Sequence, residues 1–243
     1  MSECSRILEV RTGDCHVVSA AQGETVRMRV VVVTIAALLV LCSAAGAQRE
    51  DGEARKKALV QLQARDADGR VSACETLAQV GKQEDLLLLQ SRLFDDDERV
   101  RAIAETAIWA IWSRSGDAAA DRLFERGVDQ MRNGQLKPAV NTFGQVIAMR
   151  PEFTEAWNKR ATIYFLLGED DLSLKDCDEV LKRNPQHFGV LAGYGQIYLR
   201  KGDLPRALDY FEQALAINPN MVGVQASIDA VRGILVKRGR RFI

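Results

Sequence analysis

The residues best able to do chemistry in this chain are few and scattered. His16 and His187 are the two histidines, and the five cysteines stand at 4, 15, 42, 74 and 177. His187 has no histidine or cysteine neighbour at metal-ligand spacing, so a zinc site has no starting pair. General-base work by His187 would need a nucleophile and an orienting acid placed beside it by folding. Its segment, Pro185-Gln186-His187-Phe188-Gly189, supplies neither, and a loop histidine near the next helix start is the expected reading. Asp170-Asp171 and Asp176/Asp178 are carboxylates at a helix start and on a helix face. They read as dipole partners and solvated surface rather than as a catalytic pair. Neither a phosphate loop nor a dinucleotide fingerprint occurs. The sequence therefore predicts a non-enzymatic chain without metal or cofactor.

Charge excludes further classes. The 33 Lys+Arg balance 33 Asp+Glu, which gives no bulk attraction for nucleic acid or anionic lipid. Hydrophobic content of 47% is ample for a packed core.

The N-terminal region has the layout of a targeting segment. Met28-Arg29 precedes an uncharged run from Val30 to Leu41 and then Cys42-Ser43-Ala44-Ala45-Gly46-Ala47. A basic start, an apolar stretch and a small-x-small site make residues 28–47 a secretory signal peptide, with cleavage after Ala47. Residues 1–27 fit poorly before it and are expected to be an over-extended start, His16 with them. The rival is a retained membrane anchor. A periplasmic or secreted location follows from cleavage, and membrane contact only from retention. Cys74 and Cys177 would then remain, in different repeats, as buried thiols rather than a bridge.

The elements that position everything else follow a period. Pro151, Pro185 and Pro219 are 34 residues apart, and so are Gly134, Gly168 and Gly202. The units run 120–153, 154–187 and 188–221. Their fourth residues are Leu123, Trp157 and Leu191; their eighth are Gly127, Ala161 and Gly195; their eleventh are Gln130, Tyr164 and Tyr198. Their twentieth are Ala139, Ser173 and Ala207, and their twenty-fourth are Phe143, Cys177 and Phe211. Small residues at eight and twenty let two helices approach, and large ones fill the gaps beside them. The glycines fall where a first helix ends and φ turns positive, and the prolines stop each second helix. Helices are predicted at 120–132, 137–149, 154–166, 171–183, 188–200 and 205–217, with a capping helix near 222–237 and a basic tail to 243.

This pattern resembles the tetratricopeptide repeat family, with departures at Gln130 and Cys177. The resemblance implies an all-α fold, an α–α superhelix built as a right-handed solenoid of helical hairpins, whose function is to bind protein. It also implies a concave face lined by the first helix of each unit. The groove residues carried over are Phe124, Val128, Met131 and Arg132 from the first unit, and Asn158, Thr162, Phe165 and Leu166 from the second. The third unit gives Gln196, Leu199 and Arg200. The family's clamp for chaperone carboxyl termini is missing: Phe124, Val128, Gly189 and Gly193 stand where its lysines, asparagine and arginine would be. An amphipathic helix or extended peptide is the implied partner.

Residues 48–117 form a separate helical segment. Arg70-Val71-Ser72-Ala73 aligns with Arg101-Ala102-Ile103-Ala104 at an offset of 31, each after an acidic turn. This is similar to HEAT-like repeats. Leu86 to Leu89 is expected to be the core of a partner helix, and the segment is expected to dock on the first tetratricopeptide unit. The whole reads as a cell-envelope adaptor or assembly factor. A membrane-anchored scaffold and an accessory subunit of an enzyme are the alternatives.

Overall fold

The computed structural model describes residues 48–240; the expected signal segment and the 27 residues before it lie outside these. Of these, residues 52–240 form one compact unit. Every regular element among the described residues is helical. Helix α1 spans 48–61. It is followed by α2 (Ala67–Val80), a 3-10 turn (Gln83–Asp85), α3 (Leu86–Arg92) and α4 (Glu98–Trp112). Three hairpins come next: α5 (Ala118–Arg132) with α6 (Leu136–Met149), α7 (Thr154–Leu166) with α8 (Asp170–Arg183), and α9 (Phe188–Arg200) with α10 (Leu204–Ile217). Helix α11 (Val222–Arg240) packs on α10 through Val224 and Ile228. None of the described helices is long and apolar enough to cross a membrane.

The six repeat helices start and stop within two residues of the places the period assigns. Gly134, Gly168 and Gly202 close the first helix of each hairpin at φ of 71°, 81° and 77°. A side chain there would meet the left-handed region's steric cost, which is why the interval is kept in glycine. Inside the hairpins, sizes are matched pairwise. Gly127 faces the ring of Phe143, and Gly195 faces Phe211. In the middle hairpin the corresponding pair is Ala161 and Cys177, both in one buried cluster. The departure at Cys177 is thus the small partner that Ala161 requires. Gln130, the other departure, is held by the Thr142 hydroxyl, which donates to its Oε1 at 2.7 Å.

A Cβ on Gly195 would lie 2.4 Å from two ring carbons of a fully buried Phe211. Gly195→Ala is therefore expected to destabilise the chain by about 1–3 kcal/mol despite alanine's better helix propensity. Urea unfolding checks the value, and an unchanged midpoint would refute the close approach.

The N-terminal helices repeat at side-chain level. Asp66 caps α2 and Asp97 caps α4, 31 positions later. Arg70 donates to the carbonyls of Ala64 and Arg65, and Arg101 to those of Asp95 and Asp96, the same offset. Arg70 also forks onto the Asp95 carboxylate. Of the leucine run, only Leu89 is buried; Leu87 and Leu88 are exposed, because one turn of α3 can present one face to α4.

The segment's apolar cluster continues into the third unit, through Phe188, Ile217 and Met221, rather than into the first as expected. Arg101 Nε donates to Asn220 Oδ1, and Asn220 Nδ2 donates back to the Leu93 carbonyl. Asn220 thus receives from Arg101 what Asp95 receives from Arg70. The short linker at 113–117, with Gly116 at φ 78°, lets the chain reverse across the stack.

Candidate functional site

The junction between the N-terminal helices and the repeats is built on buried aromatic and polar groups. Trp112 stacks on the His187 imidazole, centroids 4.1 Å apart, and packs against Phe188. Trp109 meets Gly189 so closely that a Cβ there would lie 2.6 Å from the indole. Lys159 sits over the Trp109 ring at 5.5 Å.

His187 is no surface loop residue. It has no exposed surface, and its Nδ1 accepts the Val190 N–H that opens α9. Its Nε2 lies 3.1 Å from Glu155 Oε2, so with Nδ1 accepting, Nε2 carries a hydrogen and donates it to the carboxylate. Glu155, also fully buried, accepts from Asn158 and pairs with Lys159 at 3.0 Å. Sequence reasoning missed this acid because it lies 32 residues upstream, and no local spacing reveals it. The pair still lacks a nucleophile and any exposure to substrate, and its hydrogen bonds are all spent on structure.

Burial pushes the Glu155 carboxyl up. The hydrogen bond from His187 and the Lys159 charge outweigh it and hold the group below the usual carboxylate range. A folded value below the unfolded one gives stability that is complete above the unfolded value, about 4.3, and is lost as pH falls through the folded value. The acid limb of the stability profile is expected to flatten in Glu155→Gln; an unchanged limb measured by thermal melts would show that Glu155 does not contribute to it.

The two other expected surface carboxylates are also engaged. Asp176 is buried in a fork from Arg160, and Asp178 accepts from the Tyr194 hydroxyl. Asp170 and Asp171 open α8 as expected. Cys74 and Cys177 are buried free thiols, and burial pushes both up to about 12. Among the described residues no group of three metal-ligating side chains occurs.

The groove residues divide. Phe124 is core, its ring against Phe143 and Phe153, because the loop entering α7 folds over it. Val128 and Met131 pack on that same cluster. Arg132 is exposed and pairs with Asp129. Asn158 is buried and committed to Glu155. Arg200 reaches the Phe165 carbonyl and Asp170, with its guanidinium 3.8 Å over the Phe165 ring. Gln196 touches Ser227 of the capping helix at 3.4 Å. Leu166 is exposed, and Leu199 packs with the cluster beneath α11.

The structure does bring Asn158, Thr162, Phe165 and Gln196 around one cavity of about 240 Å³ between α7 and α9. Its floor is Ala161, Val190 and Ile197, and Gly189 and Gly193 form the α9 wall. Trp109, against Gly189 and Lys159, closes the groove at the N-terminal end of these helices.

Stacked helical hairpins with a pocket between successive first helices define an α-solenoid. The chain is a tetratricopeptide repeat protein: residues 153–220 match the family model described as Tetratricopeptide repeat. That match covers the second and third hairpins, and the first has the same turn geometry at Gly134. A TPR repeat-containing protein of Rhizobium etli is 31% identical over 138 residues, 56% of this chain and 66% of that protein. An FK506-binding protein-like protein of Mus musculus is 27% identical over 141 residues, 55% of this chain and 40% of that protein. The chain thus spans about two thirds or less of these relatives. The solved first TPR domain of Spaghetti, bound to an HSP90 peptide, overlays with TM-score 0.47 at 20% identity, covering 48% of this chain and 93% of that one.

Proposed function

We propose that this chain is a protein-interaction module that holds one apolar side chain of a partner peptide or helix in the cavity between α7 and α9. The observation that carries the reading is the cavity itself: apolar at its floor, edged by the Thr162 hydroxyl and the Gln196 amide, and open on the concave side. At about 240 Å³ it falls below the ~300–1,000 Å³ of small-molecule sites and suits a side chain. The rim groups are suited to the backbone of an extended or helical partner. The partner is placed over the second and third repeats, whose first helices α7 and α9 line the cavity. Location in the cell envelope, as a cleaved export product, is part of this proposal and rests on residues 28–47. Fractionation with an alkaline wash tests it, since an anchored chain stays with the membrane.

Gly193→Leu tests the pocket. A Cβ at Gly193 meets nothing within 4 Å, so a side chain can start there without a clash, and the leucine is expected to occupy the cavity that Gly193 lines. Replacing a helical glycine also favours the helix by roughly 0.5–1 kcal/mol. The variant is expected to melt no lower than the parent and to lose capture of the proteins that the parent retains from an envelope extract. Undiminished capture would overturn the groove assignment.

A further inference from the structure

A cavity larger than that of the groove lies elsewhere. A cleft of about 550 Å³ lies where the N-terminal helices meet the loops that join the repeats. Trp112 and Phe153 give it an apolar wall, and Arg114, Arg183 and Asn184 line it with donors.

Arg114 is the informative group. Its Nη1 donates to the Ala78 carbonyl at 2.6 Å and its Nη2 to the Gly81 carbonyl at 2.9 Å, at the end of α2. Those bonds fix the guanidinium plane while leaving its other N–H groups unspent. No carboxylate among the described residues pairs with it, whereas Arg55, Arg70, Arg150, Arg160 and Arg200 all have one. Burial pulls its pKa down, and the nearby Asp121 carboxylate, which accepts from the Ser115 N–H and hydroxyl, only partly opposes this. A partly buried cation in that condition is costly, and an entering anion removes the cost. Asn184 adds a second donor. Its Oδ1 accepts from the Gln186 N–H, and its amide nitrogen has no hydrogen-bond partner among the described residues. Glu152, the carboxylate at this cleft, is already taken by Arg150 at 2.5 Å.

We propose that this cleft is a second binding site, for a carboxylate carried on a peptide, with the Arg114 guanidinium and the Asn184 amide as its donors. A planar fork matches a carboxylate with two parallel hydrogen bonds, which a single ammonium cannot do. The volume exceeds what a bare ion needs and accommodates the residue that bears the charge, against Trp112 and Phe153. The site is independent of the groove, so its failure would leave the proposed function standing.

The test is a titration of the full chain followed by NMR at the Arg114 Nε–H and Trp112 Nε1–H resonances. Three probes are used: N-acetyl-Ala-Ala with a free carboxyl terminus, N-acetyl-Ala-Glu-amide, and sodium sulfate. Saturable shifts with the first alone identify a chain terminus as the carboxylate source; with the second alone, an acidic side chain; with both, either source. Asn184→Asp keeps the acceptor for Gln186 and places a like charge in the site. It is expected to weaken binding at least about tenfold, equivalent to 1.4 kcal/mol, with melting unchanged. Arg114→Lys is expected to weaken it similarly. Absence of saturable shifts up to about 10 mM, well past millimolar affinity, would overturn the proposal. So would shifts that sulfate reproduces equally, or binding that Asn184→Asp leaves intact.

Discussion

Trp112→Ala is expected to lower the unfolding free energy by about 3–5 kcal/mol, the range for truncating a buried large aromatic. Trp112 is only 4% exposed and touches Trp109, His187 and Phe188 at once. Its loss removes the contact area through which the N-terminal helices hold the third repeat. Since whole domains are stable by ~5–15 kcal/mol, the loss is a large share of the total. Hydrogen exchange localises it: α4 and the start of α9 lose protection, whereas α5 and α6 keep theirs. Trp112→Phe costs markedly less. The indole N–H has no hydrogen-bond partner among the described residues, so phenylalanine gives up area but no hydrogen bond. If the alanine variant melts like the parent, the docking of the N-terminal helices on the third repeat is wrong.

Glu155→Ala is the second large effect, again about 3–5 kcal/mol, because it leaves two buried donors without an acceptor, at ~1–3 kcal/mol each, and breaks an ion pair. Lys159 loses its ion pair, and the Asn158 amide and the His187 Nε2–H lose their acceptor. His187 also caps α9 through Val190, so an imidazole that reorients frees a helix-terminal N–H as well. Pairing Glu155→Ala with His187→Ala in a double-mutant cycle separates the terms. A coupling of about 0.5–3 kcal/mol is expected for groups in contact. Strict additivity would mean that the two side chains do not interact. Tetratricopeptide repeats on their own do not need this cluster, since its other wall, Trp109 and Trp112, comes from the preceding segment.

The repeat helices were legible because their causes are local. A glycine at the end of each first helix and a proline after each second one act on their own backbone, and matched sizes act within one hairpin. The two departures from the pattern were legible as departures only. That Cys177 answers Ala161, and that Thr142 holds Gln130, became clear when facing positions could be compared. The groove was less legible. Phe124 occupies a position whose spacing points to the concave face, yet the ring of Phe153 takes it into the core. Asn158 was read as a groove amide, and the buried Glu155 claims it. Spacing assigns a residue to a helix face but does not reveal what another element lays over that face.

The docking of the N-terminal helices marks the boundary most clearly. An offset of 31 residues gave matched caps and matched arginine-to-carbonyl bonds, since each arises within a few positions of chain. It gave no sign that the segment would cross to the third repeat, where Arg101 finds Asn220, 119 positions away. Periodicity alone determined where the repeat helices lie and where their hairpins turn. Tertiary structure decided how much of the hollow stays open, which carboxylate meets His187 and that Arg114 meets backbone carbonyls in place of a carboxylate. Those outcomes depend on surfaces meeting across long stretches of chain, and such meetings are set by the total shape and burial of the assembled helices rather than by any interval between residues.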